Sequence, residues 1–395
     1  MQTVTLGRTG LTVSRLGFGG IPIQRIDQPA VRELLRAAHA GGVNFIDTAR
    51  GYTVSEDWIG RSLEELGLRD AFVLATKCRA VTAAEMEQEL AASLRALRTD
   101  HIELYQFHNP DLRALETILA PGGALEKLLE AKAQGVVGHI GITAHLTAVF
   151  ERALAVPEIE TIMFPCNIVE HQGADLIARC AAAGKGFIAM KPLAGGAIED
   201  GRLAVRCVLA NPAVTVCLPG MAAPEELAAN LAAAADPSPL TEQELAACRK
   251  VRDTLGTQFC RRCNYCAPCT VGIQIPSAFL FDGYISRYGL EGWARERYAT
   301  LPVKASACIG CGACETRCPY QLPIREMLKR SPPISANERK PFPACPPARG
   351  RRFFFALRLV FGGRVMYNLF CITLYFCKRF PPFWRQKRGP FPHAH

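Results

Sequence analysis

The sequence predicts an α/β chain: a (β/α)8 barrel followed by a small cysteine-rich module. Two observations carry the barrel and one the module. From residue 12 to 235, short apolar runs alternate with longer amphipathic ones. The short runs are apolar almost throughout, as in parallel strands covered on both faces. Beyond residue 259, eight cysteines crowd into two short stretches.

The strand-like runs are SRLGFGG (14–20), NFIDTA (44–49), FVLATK (72–77), IELYQFH (102–108), GHIGIT (138–143), TIMFPCN (161–167), GFIAMKP (186–192) and VTVCLPG (214–220). Helical patterns lie between them, at 30–40, 83–98, 124–134, 146–155, 174–183, 202–210 and 225–235. The second opens with Thr82 and Glu85, the spacing of a capping box. Eight strand–helix units fit a closed barrel. A doubly wound open sheet is the alternative that periodicity alone leaves standing. The barrel occupies 1–240 and ends at DPSPL (236–240). TEQELAACRKVRDTL opens with a second T-x-x-E box and predicts a linking helix within 241–259. The cysteine module spans 260–330.

The final segment, 331–395, begins Pro-rich and basic, a composition expected to be disordered. Its longest uncharged stretch, VMYNLFCITLYFC, has 13 residues. That is too short to span a bilayer, which takes about 20. An end without an evolved role is the favoured reading, an interfacial helix the alternative, and membrane contact is not expected.

The net charge of +10 is not spread evenly. Residues 331–395 hold 12 Lys/Arg and one acid, Glu338, which leaves 34 basic against 35 acidic residues before them. A body without basic excess argues against nucleic-acid binding, which needs many phosphate contacts. Seventeen cysteines could suggest a secreted disulfide scaffold. The length, the clustering and an N-terminus without a basic-then-apolar leader oppose this. Reduced thiols in the cytoplasm are expected. Cys78, Cys166, Cys180, Cys207, Cys217 and Cys248 read as small core residues. Cys345, Cys371 and Cys377 have no metal spacing.

Barrel chemistry sits at the C-terminal ends of strands. Asp47, Tyr52, Lys77 and His108 fall there, and they suit carbonyl reduction. Hydride addition creates an alkoxide that needs a proton. A tyrosine supplies it if its pKa, about 10 when free, is lowered, as a neighbouring Lys⁺ would do. A carboxylate holds the lysine and a histidine orients the substrate oxygen. An idle site with a structural Lys77–Asp47 pair is the bland alternative. His39, His101 and His139 read as ordinary histidines. His145, two residues past Thr143, is a candidate substrate contact.

FIDTARGY, LATK and LYQFH resemble the tetrad motifs of the aldo-keto reductase family. LGFGGIPIQR (16–25) and MKPLAGG (190–196) resemble its subgroup with a C-terminal ferredoxin-like extension. The likeness covers about residues 1–330. It implies Tyr52 as general acid, Lys77 as its pKa-lowering partner, Asp47 as anchor and His108 as substrate-orienting residue. It also implies an NAD or NADP cofactor held without a Rossmann fingerprint, with Gly19, Gly20, Thr143, Asn167, Leu193, Gly195, Gly220 and Asn230 as contacts by position. Ala144 and Met163 stand where the family carries carboxamide-binding amides, and Met190 where it carries a stacking aromatic. Gly220 and Glu226 replace basic residues that hold a 2′-phosphate, so the choice between NADP and NAD stays open. No flavin fingerprint is present, although loops of a barrel can bind flavin without one.

CIGCGACETRCP (308–319) has C-x2-C-x2-C-x3-C-P spacing, that of bacterial ferredoxins, whose fourth cysteine serves the other cluster of a pair. CRRCNYCAPC (260–269) supplies four more. The expectation is a ferredoxin-like α+β domain with two [4Fe–4S] clusters, one on Cys260, Cys263, Cys266 and Cys318, the other on Cys308, Cys311, Cys314 and Cys269. Tetrahedral zinc is the competing reading. Three functions follow. One is an oxidoreductase of carbonyls or alcohols, linked through its clusters to a redox partner protein or substrate. The others are an electron-transfer protein with a docking barrel, and a plain carbonyl reductase with structural clusters.

Overall fold

The computed structural model describes residues 1–256, 258–330, 354–361 and 364–371. The described residues up to Arg330 group into one compact unit. It opens with a hairpin, β1 (Thr3–Thr5) against β2 (Thr12–Ser14), antiparallel. Eight parallel strands follow: β3 (Phe18–Gly19), β4 (Phe45–Asp47), β5 (Val73–Cys78), β6 (Ile102–His108), β7 (Val137–Thr143), β8 (Thr161–Pro165), β9 (Gly186–Met190) and β10 (Val216–Leu218). Each pairs with the next, and the ends meet where Gly17 N donates to Cys217 O (2.9 Å) and Gly19 N to Pro219 O (3.0 Å). The sheet is therefore a closed barrel, not the open alternative.

The helices that wrap it are α1 (Gln28–Ala40), α2 (Ser55–Leu66), α3 (Ala83–Leu97), α4 (Leu112–Leu119), α5 (Ala124–Ala133), α6 (Thr147–Leu154), α7 (Ala174–Ala182), α8 (Gly201–Leu209) and α9 (Pro224–Ala235). The Thr82 box forms as the sequence predicts: Glu85 N donates to Thr82 Oγ1 (3.3 Å) and Thr82 N to Glu85 Oε2 (3.1 Å). Such a cap contributes about 1 kcal/mol. Helices α2 and α4 were not among the predicted ones.

Strand periodicity sorts the side chains. Phe45, Ala75, Leu104, Met163, Ile188 and Val216 fill the barrel interior together with Leu6 and Val13, which the hairpin inserts from one end. Their neighbours, such as Ile46, Leu74 and Tyr105, pack outward against the helices. Each fully buried large apolar side chain stabilises the fold by about 1.5–3 kcal/mol.

The linking helix α10 (Glu242–Leu255) carries the Thr241–Glu244 box. Arg206 of α8, 5% exposed, pairs with Glu244 (2.6 Å) and Asp236 (2.7 Å). A disulfide joins Cys207 of α8 to Cys248 of α10. These two were expected to be free core thiols. They do pack in one apolar cluster, and helix–helix packing brings their sulfurs into bonding contact across 41 residues of sequence.

The cysteine module is built from α11 (Ile275–Ser286), α12 (Glu291–Ala299), α13 (Ala313–Thr316) and α14 (Ile324–Arg330). Among its described residues there is no strand, so the β part of the α+β expectation is corrected. The cysteine runs lie in loops and at short helices, and α11, α12 and α14 supply the apolar cover. The disorder expected of 331–353 lies outside the described residues. Within the apolar end, β11 (Phe354–Phe361) pairs antiparallel with β12 (Arg364–Cys371); this stretch is not the interfacial helix considered above. No helix of the described residues is long and apolar enough to cross a membrane.

Candidate active site

Period-2 alternation carries three ionisable residues to one end of the barrel interior. Asp47 follows Phe45 by two on β4, Lys77 follows Ala75 by two on β5, and Gln106 and His108 continue from Leu104 on β6. The register puts Asp47 beside Ala75, Lys77 beside Gln106 and His108 beside Thr143. Lys77 Nζ donates to Asp47 Oδ2 (2.5 Å) and Thr48 O (2.7 Å), and Gln106 Nε2 donates to Asp47 Oδ1 (3.1 Å). Lys77 and Asp47 are 2% and 3% exposed. Burial raises the Asp47 carboxyl and lowers the Lys77 ammonium, while the pairing opposes both shifts.

Tyr52 reaches the same place from the loop after β4. Tyr52 N donates to Ala49 O (3.0 Å), and Ser55 N to Tyr52 O (2.9 Å), which closes a turn into α2. The turn is held by Arg50, which pairs with the buried Glu56 (2.5 Å) and with Glu89 (2.9 Å). Gly20 lies so close that a Cβ there would stand 2.9 Å from both Asp47 O and Ser55 Oγ. The Tyr52 ring sits edge-on to His108, centroids 5.8 Å apart, and Lys77 Nζ lies 4.9 Å from its centroid. The structure thus brings Asp47, Tyr52, Lys77 and His108 together.

Burial pushes the Tyr52 phenol well above its ordinary value, with Asp47, Tyr284 and Tyr288 adding to the rise and Arg79 opposing it. Lys77, the expected pKa-lowering partner, is itself paired with Asp47 at 2.5 Å. His108 is held well below the usual imidazole value, first by burial and then by Lys77, Arg79 and Lys191. Its Nδ1 is buried without a hydrogen-bond partner.

These residues floor a chamber of about 760 Å³, within the usual size of a small-molecule site. Gly19, Gly20, Thr143, Leu193, Gly195 and Gly220 line it, as do Met163, Met190 and His145. Asn167 and Asn230 are not in its lining. Asn167 Nδ2 is committed to Glu170 (2.7 Å) and Lys191 O (3.0 Å), and Asn230 is 4% exposed. His39, His101 and His139 lie elsewhere, the last two with Glu103 and Glu160 as partners.

The sequence did not reveal the roof. Leu280, Phe281, Tyr284 and Tyr288, on and just past α11, and Trp293 and Arg297 on α12 close the chamber. Tyr284 packs edge-on against Trp293 (4.6 Å) and Tyr288 (5.3 Å). Arg287 Nε donates to Gly195 O (2.9 Å), and Arg297 Nη2 to Gly51 O (3.2 Å). Lys191 was also missed, although it sits in the MKPLAGG motif. Its Nζ is 3.0 Å from His145 Nε2, whose Nδ1 is 2.9 Å from Asn109 Oδ1. Behind it, Arg262 of the first cysteine run pairs with Glu170 of the barrel (2.8 Å; side chains 10% and 0% exposed).

The cysteines form two sets. Cys269, Cys308, Cys311 and Cys314 line one apolar recess with Thr270 and Ile275. Thr270 Oγ1 is 3.3 Å from Cys311 Sγ. Cys318 lies close enough to Cys260 and Cys263 to act electrostatically on both thiols, and those two, together with Cys314 from the other set, act likewise on Cys266. Among the described residues, no three His, Cys, Asp or Glu side chains converge on a single-ion site.

Comparison with known proteins accords with both halves. The model of the aldo/keto reductase family matches residues 15–202, and that of a 4Fe-4S dicluster domain matches 259–323. Aldo-keto reductase YhdN of Bacillus subtilis is 31% identical over 189 residues, 44% of this chain and 56% of that protein. L-galactose dehydrogenase of Arabidopsis thaliana is 30% identical over 214 residues, 49% of this chain and 66% of that one. The chain thus spans between half and two thirds of these relatives' length. A solved structure of PA4992, a putative aldo-keto reductase from Pseudomonas aeruginosa, superposes with a TM-score of 0.53 at 31% identity, covering 62% of this chain and 96% of that one.

Proposed function

The chain belongs to the aldo/keto reductase family and carries a 4Fe-4S dicluster domain behind the barrel; from that premise we propose that this oxidoreductase interconverts a small carbonyl compound and its alcohol, with a nicotinamide cofactor at the barrel and two [4Fe–4S] clusters linked to the reaction. The observation that carries this reading is the convergence of Tyr52, Lys77, Asp47 and His108 under a roof made by the cluster domain.

The residues fit a nicotinamide group in size and shape. The chamber is large enough, and Gly19, Gly20, Thr143, Leu193, Gly195 and Gly220 would flank it. A reduced nicotinamide supplies hydride when bound. The chain supplies the rest. Tyr52, protonated at neutral pH because burial raises its pKa, donates the proton to the developing alkoxide oxygen. His108, kept neutral by the same burial, which lowers its pKa, offers an N–H to the same oxygen. Lys77 and Asp47 hold the floor rigid and keep its net charge near zero. Tyr284, Tyr288 and Trp293 give the chamber an aromatic cover.

Eight thiols are the donor type that iron–sulfur clusters take. Grouped as Cys260, Cys263, Cys266 with Cys318, and Cys308, Cys311, Cys314 with Cys269, they would hold a crossed pair of clusters. Each cubane passes one electron, whereas a hydride carries two. A redox partner or a flavin would bridge that mismatch, and the roofed chamber favours this linked reading over clusters that merely staple the fold. Cytoplasmic location is part of the proposal.

The test is Tyr52→Phe in anaerobically purified protein. NAD(P)H-dependent reduction of a test aldehyde should fall by about 100-fold or more, with iron and sulfide content unchanged. Unchanged turnover would leave the barrel as a docking platform. Intact turnover after cluster bleaching would make the clusters structural.

A further inference from the structure

We propose that the substrate carries an oxyanion, a carboxylate or a phosphate ester, and that Arg79 and Arg297 hold it beside Tyr52. The inference rests on Tyr52 as the reacting group and adds the charge class of what it acts on.

The chamber wall is unbalanced in charge. Seven cations line it (Arg25, Arg50, Lys77, Arg79, Lys191, Arg287 and Arg297) against three acids, Asp47, Glu89 and Glu226. Each acid already has a cation: Asp47 has Lys77 (2.5 Å), Glu89 has Arg50 (2.9 Å) and Glu226 has Arg25 (4.0 Å). Four cations are left with no carboxylate within ion-pair distance among the described residues.

Two of the four stand on the Tyr52 side. Arg79 follows Lys77 by two residues, just past the end of β5. It is exposed and has no hydrogen-bond or ion-pair partner among the described residues. Arg297 comes down from the roof. Its guanidinium stacks on the Trp293 ring (3.9 Å to the centroid), and Nη2 donates to Gly51 O, next to Tyr52. Carbonyl oxygens and a ring face satisfy some of its donors but not its charge. Burial and then Arg79 lower its pKa, while Glu296 and Tyr284 act to raise it, so the two guanidiniums are near enough to feel each other's charge. Both side chains influence the same group from opposite walls, the Tyr284 phenol. Two planar forks converging from floor and roof match an oxyanion with several acceptor oxygens.

The dinucleotide's phosphates are the other source of such chemistry. Arg25 and Arg287 stand beside Glu226 and Gly195 respectively. Arg79 instead acts on Tyr52 and His108, and Arg297 reaches Gly51 O next to Tyr52.

The experiment is isothermal titration of the full, cluster-loaded chain with oxidised nicotinamide present, so that binding is read without turnover. Two matched pairs are used: 4-oxobutanoate with butanal, and glyceraldehyde 3-phosphate with glyceraldehyde. The charged member of at least one pair should bind about tenfold tighter or more. Arg79→Gln and Arg297→Gln should each cut that ratio by about tenfold. Arg79 is exposed and supports no other side chain, so R79Q keeps the test readable even where R297Q misfolds. Equal binding within both pairs would overturn the proposal. So would an unchanged ratio in R79Q, or a loss of nicotinamide affinity in its place, which would assign the two guanidiniums to the cofactor's phosphates. A charge preference that persists while no aldehyde is reduced would support this inference and count against Tyr52 as the acid.

Discussion

Replacing Asp47 with alanine tests the floor of the site most directly. Lys77 would keep Thr48 O as its remaining acceptor among the described residues, while its ammonium stays 2% exposed. Removing one partner of a buried ion pair costs about 3–5 kcal/mol, because the other charge is left without compensation. For a domain of this size each kcal/mol moves the midpoint by roughly 2–4 °C. Asp47→Ala should therefore lower the thermal midpoint by roughly 6–20 °C, followed by far-UV circular dichroism under anaerobic conditions at one scan rate. The double variant Asp47→Ala/Lys77→Met removes both charges and should recover most of the loss. A single-variant shift within about 2 °C, equivalent to under 1 kcal/mol, would refute the reasoning. So would a double variant no more stable than the single one. The same site has a functional readout. Asp47 is the second cause of the raised Tyr52 pKa, so Asp47→Asn should move the phenol downward.

Three other outcomes follow. Because Tyr52 stays protonated until above its ordinary value, the rate of carbonyl reduction should show no Tyr52-linked fall through neutral pH, and alcohol oxidation, which needs the phenolate, should rise toward alkaline pH; a Tyr52-dependent loss of reduction near pH 7 would contradict this. Cys318→Ala and Cys263→Ala should remove the same half of the iron, and Cys269→Ala and Cys311→Ala the other half, so that a pair within a set loses no more than one member while a pair across sets loses all; iron and sulfide analysis decides it. Burial works against the Glu160 carboxylate, but His139, Lys132 and the Ile140 N–H outweigh it and hold its pKa down to about 2. A depressed carboxyl stabilises the fold above its unfolded pKa of about 4.3 and loses that contribution as pH falls toward 2. Glu160→Gln should cost up to about 3 kcal/mol at neutral pH and flatten this acid limb, measured by denaturant titration.

The barrel was legible because a parallel strand writes its burial into consecutive residues. Alternation then carries Asp47, Lys77 and His108 to one face, which is why the tetrad could be read before any coordinates. What escaped has physical causes as well. Helix α2 begins at Val54 without a side-chain cap, so the usual opening signal is missing. Lys191 adopts φ 58°, and the turn rather than strand alternation aims it at His145. The Cys207–Cys248 pairing depends on how α8 meets α10. Arg79 could have been found, since it continues the period of Ala75 and Lys77. Nothing in the spacing of Tyr284, Tyr288, Trp293 or Arg297 says which opening they will cover, because the barrel residues they meet, such as Gly51 and Gly195, lie far earlier in the chain. The cysteine sets lie between these cases: the spacing marks a ferredoxin-type module, but not its seat against Glu170.

The ceiling over this chamber belongs to the iron-binding half and not to the barrel. A chimera that kept the barrel and took its cluster module from a cousin would inherit a different ceiling, and with it a different preference for guests. Selection acting on the iron-binding half is thereby also selection on what the other half can transform, so the two histories cannot drift apart.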